Sequence, residues 1–196
     1  MYITITRDNL LAPLPDQIGA ERWFALRVKS GHEKSVAACA RNRGFEEFLP
    51  LRRSRRVWSD RTKLLDVPLF PGYVFSRLNP VNRLPLLTIP GAMQFVGIGK
   101  VPLPIDDAEI IAIEAAVRSG LYTTPYPFLQ VGERVLLESG PLAGVEGILV
   151  KLQNRDRLVV SVTLLQRSVA VSVERDWIRP LGIDRRRPVP CVAQPI

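Results

Sequence analysis

Leu69–Leu78 reads LFPGYVFSRL, and the fold of the first half of the chain turns on how that stretch is read. Bulky apolar and aromatic residues cluster around a Pro71-Gly72 pair. This predicts a strand that begins at a bulge or a close backbone approach. By period two, Tyr73 and Phe75 point to one side. Upstream, Glu21–Lys29 (ERWFALRVK) alternates bulky and polar residues around Trp23 and Phe24 and predicts another strand. Ser30-Gly31-His32-Glu33 fits a capping box, in which the Ser30 hydroxyl and the Glu33 carboxylate would each accept a backbone N–H. The helix it opens carries Val36, Ala37 and Ala40, has Lys34, Arg41 and Arg43 on its polar face, and stops at Gly44. Phe45–Leu51 and Arg52–Val67 predict two strands joined by a basic hairpin whose tip lies near Arg55–Lys63, around Trp58.

Downstream of the opening stretch, Asn79-Pro80 starts a short helix and Ala92–Ile98 reads as a strand. Asp106-Asp107-Ala108-Glu109 resembles a capping box with Asp106 as the cap, and the helix it opens carries Ile110, Ile113, Ala116 and Val117 on one face and ends near Gly120. The order β-α-β-β(-β)-α-β-α suits an α+β sandwich, with helices packed on a mostly antiparallel sheet. Leu121–Leu129 is proline-bearing and uncharged and reads as a linker. Beyond it the pattern changes. Glu133–Glu138, Glu146–Leu152, Arg157–Leu165 and Ser168–Val173 are short strands rich in Val, Leu and Ile, separated by turns such as Ser139-Gly140-Pro141 and Asn154-Arg155-Asp156. They predict a small SH3-like β-barrel. The expected organisation is a flexible leader (1–20), an α/β sandwich domain (21–119), a linker (120–128), the barrel (129–181) and a disordered Pro/Arg-rich tail (182–196).

The composition excludes several classes. Apolar residues are 46% of the chain, so global disorder is not expected. No stretch approaches the roughly 20 apolar residues of a membrane span, and Met1–Ala20 lacks the regions of a secretory signal, so a cytoplasmic location is expected, with no membrane partner. Two distant cysteines make neither a disulfide framework nor a zinc site. His32 is the only histidine, with no ligand or triad partner spaced to join it, so neither a metal nor catalysis is expected there and its role is a surface contact. No cofactor is implied and the chain does not read as an enzyme. The net charge of +8 is concentrated: residues 21–66 hold 12 basic against 6 acidic groups, whereas 128–181 hold 7 against 6. A localised basic surface favours a polyanionic partner.

Three pieces of the chain resemble the NusG family of transcription elongation factors. WFALRVKSGHEKSVA (23–37) is similar to the first strand and helix of that family's N-terminal domain, LFPGYVF (69–75) to its signature strand, and VGERVLLESGPLAGVEGILV (131–150) to a KOW motif. The resemblance runs from about residue 21 to 181 and looks closest to the specialised, RfaH-like paralogues of bacterial polysaccharide operons. It implies a monomeric, non-enzymatic factor that binds the clamp helices of RNA polymerase and modulates pausing, termination or antitermination. Trp23, Phe24, Phe70, Tyr73 and Phe75 would supply the polymerase-binding patch. The basic set Arg41, Arg43, Arg52, Arg53, Arg55, Arg56, Arg61 and Lys63, with Trp58 for stacking, would lie near the non-template DNA strand. Leu164, Leu165, Gln166 and Arg167 would recruit a second factor, Rho or a small-subunit ribosomal protein. Adjacent leucines at a strand end cannot both face one core, so one of Leu164 and Leu165 is expected to be exposed. The family's contact to the opposite polymerase jaw is not expected, because Leu84-Pro85-Leu86 replaces the run that makes it. In RfaH the C-terminal domain refolds as helices. Here Val159–Thr163 and Val169–Val173 are dense in β-branched residues, which predicts strands. The rival reading is a ribosome-associated or RNA-binding KOW protein, and the near-neutral barrel argues against it.

Overall fold

The computed structural model describes residues 20–57, 62–127, 133–152 and 155–183. The predicted leader up to residue 19 and most of the predicted tail lie outside them. The first half contains β1 (Arg22–Val28), α1 (Glu33–Asn42), β2 (Glu46–Phe48), β3 (Leu51–Val57), β4 (Thr62–Pro68), β5 (Tyr73–Leu78), α2 (Leu84–Leu87), β6 (Ala92–Phe95), β7 (Gly97–Ile98), β8 (Val101–Pro102) and α3 (Asp107–Arg118). Its main sheet has the order β2-β5-β1-β6, and every described pair in it is antiparallel.

The register divides that sheet into two faces. Ala25 sits opposite Phe75, Arg27 opposite Tyr73, Trp23 opposite Arg77 and Phe48 opposite Phe75, so these residues share one face. Phe24, Leu26, Val28, Val74 and Leu78 occupy the other face and close against Val36, Ala37 and Ala40 of α1. The first face packs against Ile110, Ile113 and Ala116 of α3. The alternation in ERWFALRVK therefore separates two faces, each with apolar residues packed under a helix.

Several sequence expectations need correction. The signature strand starts at Tyr73. Leu69 and Phe70 precede it in a turn in which the Tyr73 N–H reaches the Phe70 carbonyl (3.2 Å), because Gly72 takes a positive φ of 83°. The capping box at Ser30 does not form. His32 is the N-cap, no side chain caps the helix, and Glu33 turns inward. Arg55, Arg56 and Lys63 are paired strand residues of β3 and β4 (Arg55↔Leu64, Arg56↔Lys63), and the hairpin tip expected around Trp58 lies outside the described residues.

The predicted linker is also partly structured. Thr123–Pro127 forms β9, an edge strand paired with β13 (Arg167–Ser172). With β10 (Glu133–Leu137), β11 (Glu146–Leu152), β12 (Arg155–Val162) and β14 (Ile178–Ile183) it makes a six-stranded antiparallel sheet, ordered β14-β10-β11-β12-β13-β9. β14 was not foreseen and extends into the stretch assigned to the tail. The segments dense in β-branched residues are strands, as expected. Where Gly147 lies opposite Val135 on β11, a Cβ would come within 2.7 Å of the Val159 carbonyl oxygen, so only glycine fits that approach.

Candidate polymerase and nucleic-acid interfaces

The α3-side face of the first sheet carries an aromatic cluster. Trp23 meets Phe48 edge-on (centroids 6.5 Å apart), Phe48 stacks on Phe75 (6.1 Å), and Phe70 meets Phe75 edge-on (5.5 Å). Arg27 on β1 and Arg77 on β5 share this face by register. Phe70 and Phe75 are fully buried, whereas Trp23 and Tyr73 are half-buried. Of the five expected contact residues, then, only Trp23 and Tyr73 present surface. Phe24 lies on the opposite face, edge-on to Phe95 under α1, and belongs to the core.

A buried carboxylate positions the turn that sets Tyr73. Glu33 is 5% exposed and its Oε1 accepts the Gly72 N–H at 2.9 Å. Sequence reasoning missed this role because it assigned Glu33 to its own helix terminus. Glu33→Ala is expected to cost about 1–3 kcal/mol, since it strands a buried backbone donor, while Glu33→Gln, which keeps a carbonyl acceptor, costs less. Urea unfolding of the two variants checks this, and equal midpoints would remove the bond's importance.

The C-terminal β domain rests on this same half. Its loop 163–165 is a 3-10 turn, followed by Gln166 in the left-handed region (φ 50°). The Arg167 guanidinium lies over the Tyr73 ring, 5.4 Å from its centroid. The Thr163 N–H donates to both carboxylate oxygens of Glu109 on α3 (3.2 and 3.3 Å). Leu165 is buried and Leu164 half-buried, both in the cluster that includes Phe75 and Ile113. The expectation that one leucine would be exposed is corrected: the tight turn and the neighbouring domain shield both. The residues expected to recruit a second factor and those expected to bind polymerase therefore meet each other.

The basic residues divide into two sets. Arg41 pairs with Glu47 through its Nε (3.0 Å) and its terminal nitrogen, and Glu47 is nearly buried. Arg43 donates to the Pro85 carbonyl and to the Thr88 hydroxyl (2.7 Å), tying the end of α1 to α2. Both have structural partners. The rest lie on the two-stranded ribbon β3–β4, which pairs only with itself among the described residues. Its register sets Arg53 opposite Asp66, and puts Arg52, Arg56 and Lys63 at positions of the other face. Trp58 and Arg61 lie outside the described residues.

Among the described residues no three His, Cys, Asp or Glu side chains group to hold a metal, and no helix is long and apolar enough to cross a membrane.

The family model described as transcription termination factor NusG covers residues 21–114. The transcription termination/antitermination protein NusG of Staphylococcus carnosus is 27% identical over 185 residues, spanning 86% of this chain and all of the relative. Its counterpart in Staphylococcus epidermidis is 28% identical over 183 residues, with the same coverage. Among solved structures, NusG of Thermotoga maritima, described for its domain interaction, aligns over 83% of this chain and 98% of its own with a TM-score of 0.50 and 23% identity, a likeness of fold.

Proposed function

The chain carries a NusG-family domain over residues 21–114 and is similar to NusG over most of its length, and from this we propose that it binds RNA polymerase at the clamp and modulates pausing, termination or antitermination. The observation that carries the reading is the aromatic face. Trp23 and Tyr73 stand half-exposed over half-buried Phe48 and buried Phe70 and Phe75, with Arg27 and Arg77 beside them. A contact to a pair of helices needs aromatic anchors with a polar rim. The β3–β4 ribbon supplies positive charge for the adjacent non-template strand. The β domain recruits a second factor, Rho or a small-subunit ribosomal protein, through Leu164, Leu165, Gln166 and Arg167.

In the conformation described, the two binding surfaces cover one another, so engagement of polymerase requires the β domain to move off Tyr73. Arg167→Ala removes the cation from over the ring, a contact of about 0.5–2 kcal/mol. The full-length variant is expected to bind core RNA polymerase severalfold more tightly than the parent, measured by titration of labelled protein. Absence of saturable binding by both proteins would sink the polymerase reading itself. Equal affinities would leave that reading standing and remove the competition between the two surfaces.

A further inference from the structure

Between the base of the β3–β4 ribbon and the connector after α3 lies a cleft of about 680 Å³, lined by Arg52 and Arg53 on one wall and by Leu121, Tyr122 and Thr123 on the other. That volume is in the range that accepts a small ligand. Two features distinguish it from the ribbon surface. First, no hydrogen bond or ion pair ties the Arg52 or Arg53 guanidinium to the described residues, in contrast to Arg41 and Arg43. Second, Tyr122 is 61% exposed although its backbone is fixed, its carbonyl accepting the Ser172 N–H (3.1 Å). Arg157 of β12 lies over the ring, 5.2 Å from its centroid, and is itself held by a bond to the Thr124 hydroxyl (3.3 Å). The ring is thus oriented by a cation while much of it stays open to solvent.

We propose that this cleft binds one nucleotide of a single-stranded nucleic acid, the base stacking on Tyr122 and the adjoining phosphate lying against Arg53, which shares the Asp66 face of the ribbon. Every base has a π face, so a tyrosine oriented in this way accepts any of them, and the Arg53 guanidinium neutralises the backbone beside it. Asp66 is the one carboxylate on the cleft wall, and it sits opposite Arg53 in the register, where it offsets part of that charge. A duplex cannot present a base face here without unstacking, so the site selects unpaired strand. The strand contacts both domains, Arg53 from the first and Tyr122 with its Arg157 support at the start of the second. This inference rests on the reading that the ribbon meets nucleic acid, and the test keeps the two apart.

Full-length protein is titrated into fluorescently labelled single strands of about 12 nucleotides, one DNA and one RNA, and into the matching duplex. Tyr122→Leu keeps apolar bulk and removes the π face, whereas Tyr122→Phe keeps both. The expected result is binding weakened roughly tenfold by Tyr122→Leu, and by less than about twofold by Tyr122→Phe, with no effect on the duplex. Comparison of the DNA and RNA arms shows which strand the site prefers. Thermal melting of both variants checks that the connector stays folded. If Tyr122→Leu and Tyr122→Phe bind alike while Arg55→Ala/Arg56→Ala weakens binding, the cleft is overturned and the ribbon reading survives. If Tyr122→Leu weakens binding and the ribbon variant does not, the cleft stands without the ribbon. No binding by the parent protein overturns both.

Discussion

Phe75→Ala is expected to destabilise the protein by about 3–5 kcal/mol, the cost of deleting a fully buried aromatic ring. The side chain is completely inaccessible and joins Phe48, Phe70 and Ala25 to α3. Removing it opens a cavity among rings held in fixed edge-on and stacked geometry, which cannot collapse without moving β2 or the Phe70 turn. A domain stable by about 5–15 kcal/mol loses a large fraction of that. Urea unfolding of the full chain is the measurement, with Phe75→Leu recovering part of the loss. A change below about 1 kcal/mol would mean that the ring is not packed as described.

The second large effect concerns binding. Tyr73 takes part in two contacts, one with Arg167 and, on the proposed function, one with polymerase. In the parent chain its removal weakens the second but also releases the first, so the two effects oppose each other. In the Arg167→Ala background only the polymerase contact remains. There, Tyr73→Ala is expected to cost about 2 kcal/mol or more, a loss of roughly thirtyfold in affinity for core polymerase. Tyr73 is half-buried at the start of β5, so folding stability should fall far less than for Phe75→Ala. A double variant that binds as tightly as Arg167→Ala alone would remove Tyr73 from the interface and leave Trp23 as the remaining anchor.

What the sequence revealed and what it hid follow from the range of the interactions involved. Strands with strong alternation, such as ERWFALRV and the β-branched runs of β12 and β13, were legible because their pattern is local. Both Glu residues read as closing a capping box were misassigned for one reason. The Glu33 carboxylate goes to Gly72, 39 residues away, and that of Glu109 goes to Thr163, 54 residues away. In the second box Asp106 caps its helix alone, its Oδ1 accepting the Ala108 N–H at 2.9 Å. A motif of four residues cannot reveal that a distant backbone donor competes for the same oxygen. Of the strands that were missed, β9 and β14 both contain proline, which argued for connector rather than strand. They lie at the two ends of the six-stranded order, where an unpaired side tolerates a residue without an N–H. The candidate site was legible as residue types and partly misread as surface. Phe24 belongs to the α1 face, and alternation alone does not say which of two covered faces a partner can reach.

Because β9 is fastened to β13 and the Tyr122 carbonyl accepts the Ser172 N–H, the free stretch between α3 and the second domain shrinks to residues 119–121, far shorter than the proline-bearing segment suggested. Fully extended, that leash reaches about 10 Å. A β domain lifted off Tyr73 therefore swings rather than roams, and its recapture is unimolecular, at a local concentration on the order of millimolar. A free competitor at micromolar concentration starts about a thousandfold behind, some 4 kcal/mol. Opening the molecule thus favours an opponent that is itself held close by, such as a surface already bound through the ribbon, over one arriving from bulk solution. Under that arithmetic, contacts as modest as the Arg167 guanidinium over the Tyr73 ring, the Thr163–Glu109 hydrogen bonds and the packing of Leu164 and Leu165 hold the two halves together against a competitor from bulk solution.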